Sequence, residues 1–143
     1  MSLDRAYEDD NVFARILRGE LPAAKVHEDE DVLAFMDAYP QARGHTLVIP
    51  KGVRAVNLLD TPQDTLHALI ARTQVIAGAV VDALGPKGVR VVQFNGAAAG
   101  QSVFHVHFHV VPVYADGAER PHAAEAVPVE ELQHTAALIR ARL

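Results

Sequence analysis

The chain has no cysteine among its 143 residues. A disulfide framework and a thiolate zinc site are therefore both excluded. It also lacks an excess of basic residues: 18 Asp and Glu outnumber 13 Lys and Arg, for a formal charge of −5. A non-specific nucleic-acid binder presents the opposite balance, so no nucleic-acid partner is expected, and a phosphate compound would have to be held by a few local donors. Residues 1–10 are acidic and do not follow the basic-then-apolar order of a signal peptide. No uninterrupted apolar run approaches the roughly 18 residues of a membrane span. Together with the missing cysteines, these features predict a cytoplasmic protein with no membrane partner. Neither an internal repeat nor a long linker is visible, so a single domain over 1–143 is expected, half hydrophobic and large enough for a real core.

What the chain does have is the run His105-Val106-His107-Phe108-His109-Val110-Val111, followed by Pro112. On a strand, alternate side chains share a face and rise about 3.3 Å per residue. A strand from about Val103 to Val113 would place His105, His107 and His109 on one face, neighbours roughly 7 Å apart, and bury Val106, Phe108 and Val110 on the other. Imidazole can act as nucleophile, acid, base or metal ligand near neutral pH. A metal site is the weaker alternative, because nitrogens about 7 Å apart on one strand cannot all lie about 2 Å from a single zinc ion.

The remaining elements follow from periodicity and punctuation. Residues 1–10 read as loose. Asn11 can cap a short helix with Val12, Phe13, Ile16 and Leu17 as its apolar stripe, stopped by Gly19 and Pro22. Lys25–Glu28, Val32–Met36, His45–Ile49 and Val89–Phe94 read as strands, with an acidic turn at Asp29–Asp31. Thr61-Pro62-Gln63-Asp64 opens the longest helix, its predicted apolar face being Leu66, Leu69, Ile70, Ala77, Val80, Val81 and Leu84, and Gly85-Pro86 ends it. Residues 114–143 form a C-terminal extension: a polar segment at Asp116–Pro121, then a helix over Glu130–Leu143 with Leu132, Ala136, Ile139 and Leu143 on one side. Strands adjacent in sequence without a helix between every pair predict an α+β fold, with an antiparallel sheet of about five strands, helices packed on one side, and the histidine face open.

Before the histidines stands Gly100-Gln101-Ser102-Val103. A glycine entering a strand can turn backbone N–H groups toward an anion, with the Ser102 hydroxyl and the Gln101 amide nearby. Beside a neutral imidazole this outlines phosphoryl or nucleotidyl transfer: attack by one ring nitrogen, donors on the non-bridging oxygens, and a hydroxyl to protonate the leaving group.

These residues resemble the histidine triad (HIT) signature, in which three histidines alternate with apolar residues. The likeness extends over roughly residues 11–112. Asn95-Gly96 through Gly100-Gln101-Ser102-Val103-Phe104 is similar to the family's substrate loop, and Val32 to Asp37, Pro40-Gln41-Ala42 and Gly44 to Lys51 are similar to its nucleoside-binding half. Phe13 to Pro22 is similar to the opening helix of bacterial members. The chain resembles the Hint-like branch of nucleoside phosphoramidases and dinucleotide hydrolases. It departs from the galactose-1-phosphate uridylyltransferase branch, where Pro and Gln follow the central histidine in place of Phe108 and His109.

The resemblance implies that His107 is the nucleophile and that His109 donates to the phosphate. It further implies that the His105 carbonyl orients His107, with His45 in the same hydrogen-bond chain. Gln101, Ser102 and the Val103 N–H would hold phosphate, Ser102 also lying near the leaving group. Asn95 would sit beside phosphate and ribose, Asp37 would accept from the ribose hydroxyls, and Phe13, Ile16 and Phe35 would wall the base. The implied substrate is a purine nucleoside 5′-phosphate derivative, a phosphoramidate or dinucleoside polyphosphate, cleaved at the α-phosphate through a nucleotidyl-histidine; the implied assembly is a homodimer. The alternative is a nucleotide-binding sensor or partner-binding protein with negligible turnover. Many bacterial members hold zinc through Cys-x-x-Cys in the opening helix, a histidine after the Pro-Lys turn and the first triad histidine. Here Asn11 and Ala14 stand at the cysteine positions and Gly52-Val53-Arg54 follows Pro50-Lys51, so no cofactor and no metal are expected.

Overall fold

The computed structural model describes residue 3, residues 5–115 and residues 125–143. The polar segment expected at Asp116–Pro121 therefore lies outside the described residues. Helix α1 (Val12–Leu17) begins as its sequence suggests: the Asn11 side chain accepts from the Ala14 N–H, and Phe13, Ala14 and Ile16 are buried. Strands β1 (Lys25–Glu28), β2 (Val32–Met36) and β3 (Thr46–Pro50) follow, then helix α2 (Gln63–Leu84), β4 (Gly88–Val92), β5 (Phe108–Val113) and helix α3 (Val129–Arg140). The strands make one sheet in the order β1-β2-β3-β5-β4, and every neighbouring pair is antiparallel. The α+β architecture and the five-stranded sheet agree with expectation.

Both faces of the sheet are covered. Val32, Ala34, Met36, Val48, Phe108 and Val110 pack against Leu69, Ile76, Ala79 and Val80 of α2 and Leu132, Ala136 and Ile139 of α3. On the opposite face, Leu33, Phe35, Leu47 and Ile49 pack against Phe13 and Ile16 of α1. The histidine face is thus not open as expected: α1 roofs it, and His105, His107 and His109 are only 1%, 6% and 6% exposed. The reason is the apolar stripe of α1, which finds its partner in the odd-numbered side chains of β2 and β3.

The expected triad strand is also shorter. It begins at Phe108, so His105 and His107 precede it and only His109 lies in the ladder. The register pairs Thr46 with Val110 and Val48 with Phe108, which would set Val106 against Pro50. Proline has no N–H to give a ladder. The chain turns away there, and the Val106 N–H bonds the Ala55 carbonyl at 2.9 Å instead. The apolar side of the alternation survives: Val106, Phe108 and Val110 all enter the α2–α3 core.

Two details of α2 differ from expectation. Thr61 does not cap it; its hydroxyl donates to the Asn57 carbonyl, and the helix starts after Pro62 without a side-chain cap. The buried face is Leu69, Thr73, Ile76, Ala79 and Val80, while Ile70 and Val81 are exposed. Its length and composition would suffice to cross a membrane, which no scan for unbroken apolar runs reveals because Asp64, Arg72 and Asp82 punctuate it. Asp29 ties the β1–β2 turn to this helix. Its Oδ1 accepts from the Asp31 and Val32 N–H groups, and its Oδ2 lies 2.6 Å from Arg72 Nε.

Gly44 sets up the entry to β3. Its φ is +96°, and a Cβ there would come within 2.5 Å of Leu84 Cδ1 and 3.2 Å of Pro112 Cγ. Gly44→Ala is expected to cost on the order of 1–3 kcal/mol of stability. An unchanged urea midpoint would show that the turn relaxes freely.

Candidate active site

A cavity of about 430 Å³ opens between α1, β2, the segment preceding β5 and the start of α3. Its apolar wall includes Val12, Phe13, Ile16, Phe35 and Leu47, and its polar side carries Asp37, Ser102, His107 and His109. Eight of the twelve expected site residues line it: Phe13, Ile16, Phe35, Asp37, Ser102, Val103, His107 and His109. Phe13 meets His107 edge-on with ring centroids 4.9 Å apart, and the His107 and His109 rings are 4.8 Å apart. The separation is shorter than a strand would give because His107 sits where the backbone has left the ladder.

Hydrogen-bond partners determine which ring nitrogen carries each proton. The His107 Nδ1 lies 2.8 Å from the His105 carbonyl oxygen. A carbonyl only accepts, so Nδ1 bears the proton and Nε2 is the basic nitrogen. The His45 Nδ1 accepts from the Gln41 N–H at 3.0 Å, which puts the His45 proton on Nε2. That Nε2–H donates to Nδ1 of His109 at 2.9 Å, leaving His109 with its own proton on Nε2. At Nε2 one imidazole thus carries a lone pair and its neighbour a proton. Asp37 stands at the end of this chain, its Oδ2 3.5 Å from His45 Nε2 and its Oδ1 accepting from the Tyr39 N–H.

Four expected residues do not line the cavity. His45 and His105 act from behind it, through the bonds just described. Gln101 does not present its amide to the cavity: its Nε2 donates to the Val56 and Val103 carbonyls, and its Oε1 accepts from the Gly96 N–H. It shapes the loop that carries Ser102 and Val103. The Asn95 side chain is likewise engaged, accepting from the Leu58 N–H and exchanging bonds with Gln93. Small, polar loop residues signal a turn equally well whether they brace it or bind a ligand, so sequence does not separate the two roles.

Two groups of residues escaped the motifs. Val127, Val129 and Leu132 line the cavity beside Ala38, joined there by the Val127 N–H bond to the Ala38 carbonyl. Tyr7, in the segment expected to be loose, places its hydroxyl 2.8 Å from His105 Nδ1. No local pattern marks either, since both depend on distant chain segments meeting.

The positions that would hold zinc do not fit it. Asn11 is spent on capping α1, Ala14 offers no ligand, Arg54 pairs with Asp9 at 2.8 Å, and the His105 Nδ1 is taken by Tyr7. A single imidazole cannot make a four-coordinate site. Ligand atoms of Asp37, His45 and His109 cluster within 4.8 Å, but the His45 and His109 nitrogens are joined to each other at hydrogen-bond distance.

The fold is α+β, and it sets two imidazoles of opposite proton placement at a roofed, largely apolar cavity. The chain belongs to the histidine triad family: the model of the HIT domain matches residues 18–116. It is 39% identical over 137 residues to Protein hit of Bacillus subtilis, covering 92% of this chain and 93% of that one. It is also 39% identical over 105 residues to adenylylsulfatase HINT3 of Arabidopsis thaliana, covering 73% of this chain and 53% of that protein, so about half of the latter is matched. Among solved structures it resembles a Hit-like protein involved in cell-cycle regulation from Bartonella henselae, with an unknown ligand. The TM-score is 0.90 at 45% identity, over 97% of this chain and all of that one.

Burial lowers the pKa of His105 from 6.5 to about 4, helped by His107 and opposed by the bond to the Pro50 carbonyl. The unfolded chain takes up a proton on this ring below about pH 6.5 and the folded chain only near pH 4. Stability is therefore complete above that window and falls as pH drops through it, by on the order of 3 kcal/mol for this ring. Urea midpoints at about pH 7 and about pH 4.5 should diverge in the native chain and converge in His105→Gln; equal pH dependence in both would refute the assignment.

Proposed function

We propose that the chain is a nucleotide hydrolase or nucleotidyl transferase. It cleaves the bond between the α-phosphorus of a purine nucleoside 5′-phosphate derivative and its leaving group, through a nucleotidyl-His107 intermediate. The observation that carries this reading is the 2.8 Å bond from His107 Nδ1 to the His105 carbonyl, which makes Nε2 the attacking nitrogen. The apolar wall around Phe13 and Phe35 suits a flat base, and the Asp37 carboxylate, which lines the cavity, suits the ribose hydroxyls because it can only accept.

In the first step the Nε2 lone pair attacks phosphorus as the bond to the leaving group breaks. The His109 Nε2–H donates to a non-bridging oxygen as charge develops, and the Ser102 hydroxyl passes a proton to the departing atom. The two imidazoles gain and lose no proton in reaching this geometry, so the stabilisation is preorganised. In the second step water attacks the same phosphorus and gives a proton back to the Ser102 oxygen, the nitrogen–phosphorus bond breaks, and nucleoside monophosphate leaves with Nε2 and the Ser102 hydroxyl both restored. Phosphoramidates and dinucleoside polyphosphates both suit this chemistry, and the likeness to an adenylylsulfatase adds mixed sulfate anhydrides to the leaving groups worth assaying.

His107→Ala should fold and bind nucleotide but lose turnover by at least about a thousandfold. Mass spectrometry of the quenched native enzyme should find one added nucleotidyl group on His107. Near-normal hydrolysis of an adenosine 5′-phosphoramidate by the variant would end the proposal.

The protein also acts, on this reading, as a cytoplasmic homodimer. Strand β4 is a sheet edge with Val91 exposed, and Ile70, Val75 and Val81 are exposed on α2; a second copy pairing at this edge and helix would cover apolar side chains. Light scattering at micromolar concentration should give twice the chain mass, and a monomer would remove this part.

A further inference from the structure

Tyr7 stands outside the cavity, yet it reaches the residue on which the proton of His107 rests. We propose that Tyr7 is a positioning residue for the nucleophile: its hydroxyl holds the His105 ring, and through it the backbone carbonyl that orients His107. This inference rests on His107 being the attacking residue. The His105 ring is almost wholly buried and is gripped at two points, a short bond of 2.8 Å from the Tyr7 hydroxyl to Nδ1 and a longer contact of 3.4 Å from Nε2 to the Pro50 carbonyl. The shorter of the two is the one Tyr7 makes. No strand ladder reaches His105, because β5 begins at Phe108. What locates its carbonyl is the neighbouring bond from the Val106 N–H to Ala55 and the anchoring of its own ring.

Tyr7 is itself held. The Arg54 guanidinium lies over its ring, 5.1 Å from the centroid. Arg54 then grips Asp9 with two bonds of 2.8 and 3.0 Å. Residues 7–9 are thereby clamped to the 51–57 loop, the same loop whose Ala55 carbonyl receives the Val106 N–H. The clamp, the loop and the His105 segment lock together behind the cavity. Neither Tyr7 nor His105 lines the cavity, so loosening them disturbs the aim of His107 and leaves the nucleoside contacts in place.

Tyr7→Phe keeps the ring beneath Arg54 and removes only the hydroxyl. With adenosine 5′-phosphoramidate as substrate, kcat should fall about tenfold or more while KM stays within about twofold, because small misplacement of a nucleophile costs rate rather than binding. In nitrogen-15 spectra of the imidazoles, the native chain should show His107 as the Nδ1–H form, and the variant should show that signal weakened by exchange between tautomers. A merely structural Tyr7 would lower the melting temperature and leave both kcat and the His107 signal as they were, and that result would overturn the proposal. So would a rise in KM at constant kcat. If the native enzyme forms no nucleotidyl-His107, the chemistry proposed above fails by itself, and the imidazole spectra still decide what Tyr7 does. Should Tyr7→Phe not fold, Arg54→Met leaves the hydroxyl but frees the clamp; a smaller kcat loss with a broadened His107 signal supports the inference, and no change in either refutes it.

Discussion

One backbone carbonyl sets the chemistry of the cavity. The oxygen of His105 accepts the Nδ1 proton of His107, and every role argued for the site follows from the nitrogen thereby left basic. A neutral histidine exchanges between two tautomers in water, and a ring free to choose would carry its lone pair on Nε2 only part of the time. The carbonyl removes that choice. It is available because the chain leaves the sheet before Phe108. In a continuous central strand, flanked by β3 and β4, backbone carbonyls are spent on inter-strand bonds. The break opposite Pro50 releases the carbonyl of His105 to serve a side chain instead.

The same logic runs from the other side. The Gln41 N–H imposes one tautomer on His45, which imposes one on His109. Two rings 4.8 Å apart are thus set with complementary proton placement by two main-chain groups from different parts of the chain, neither of which is visible as a side chain. Burial acts on the ring behind the cavity as well, lowering the pKa of His105 to about 4 because a protonated imidazole is costly where water is excluded. The roof formed by Phe13 and Ile16 shapes the cavity.

Several elements were readable from the residues. Val32–Met36 matched its apolar run to the residue, the long helix ended at Gly85 as its glycine indicates, and Asn11 capped α1. Where reading failed, a group from elsewhere had intervened. Alternation alone made His105–His109 a strand; Pro50, 55 residues upstream of His105, decided otherwise. Thr61 looked like a cap until the Asn57 carbonyl took its hydroxyl. The side chains of Gln101 and Asn95 are bonded to the backbone of the 56–58 segment, an engagement their loop positions do not reveal. Ile70 and Val81 have the spacing of a buried face, but the sheet approaches α2 from the side of Leu69, Thr73 and Ile76.

Sequence by itself determined the side-chain chemistry available to this protein: alternate imidazoles, a glycine-entered loop, apolar stripes of helical period, and no thiolate for a metal. These are properties of residue type and spacing along a chain. Tertiary structure alone decided which nitrogen of each imidazole carries its proton, which face is roofed, and that Tyr7 and the start of α3 belong near the site. A proton's position on a ring depends on the acceptor folded against it, and that acceptor is a main-chain atom whose place exists only once the distant segments have packed.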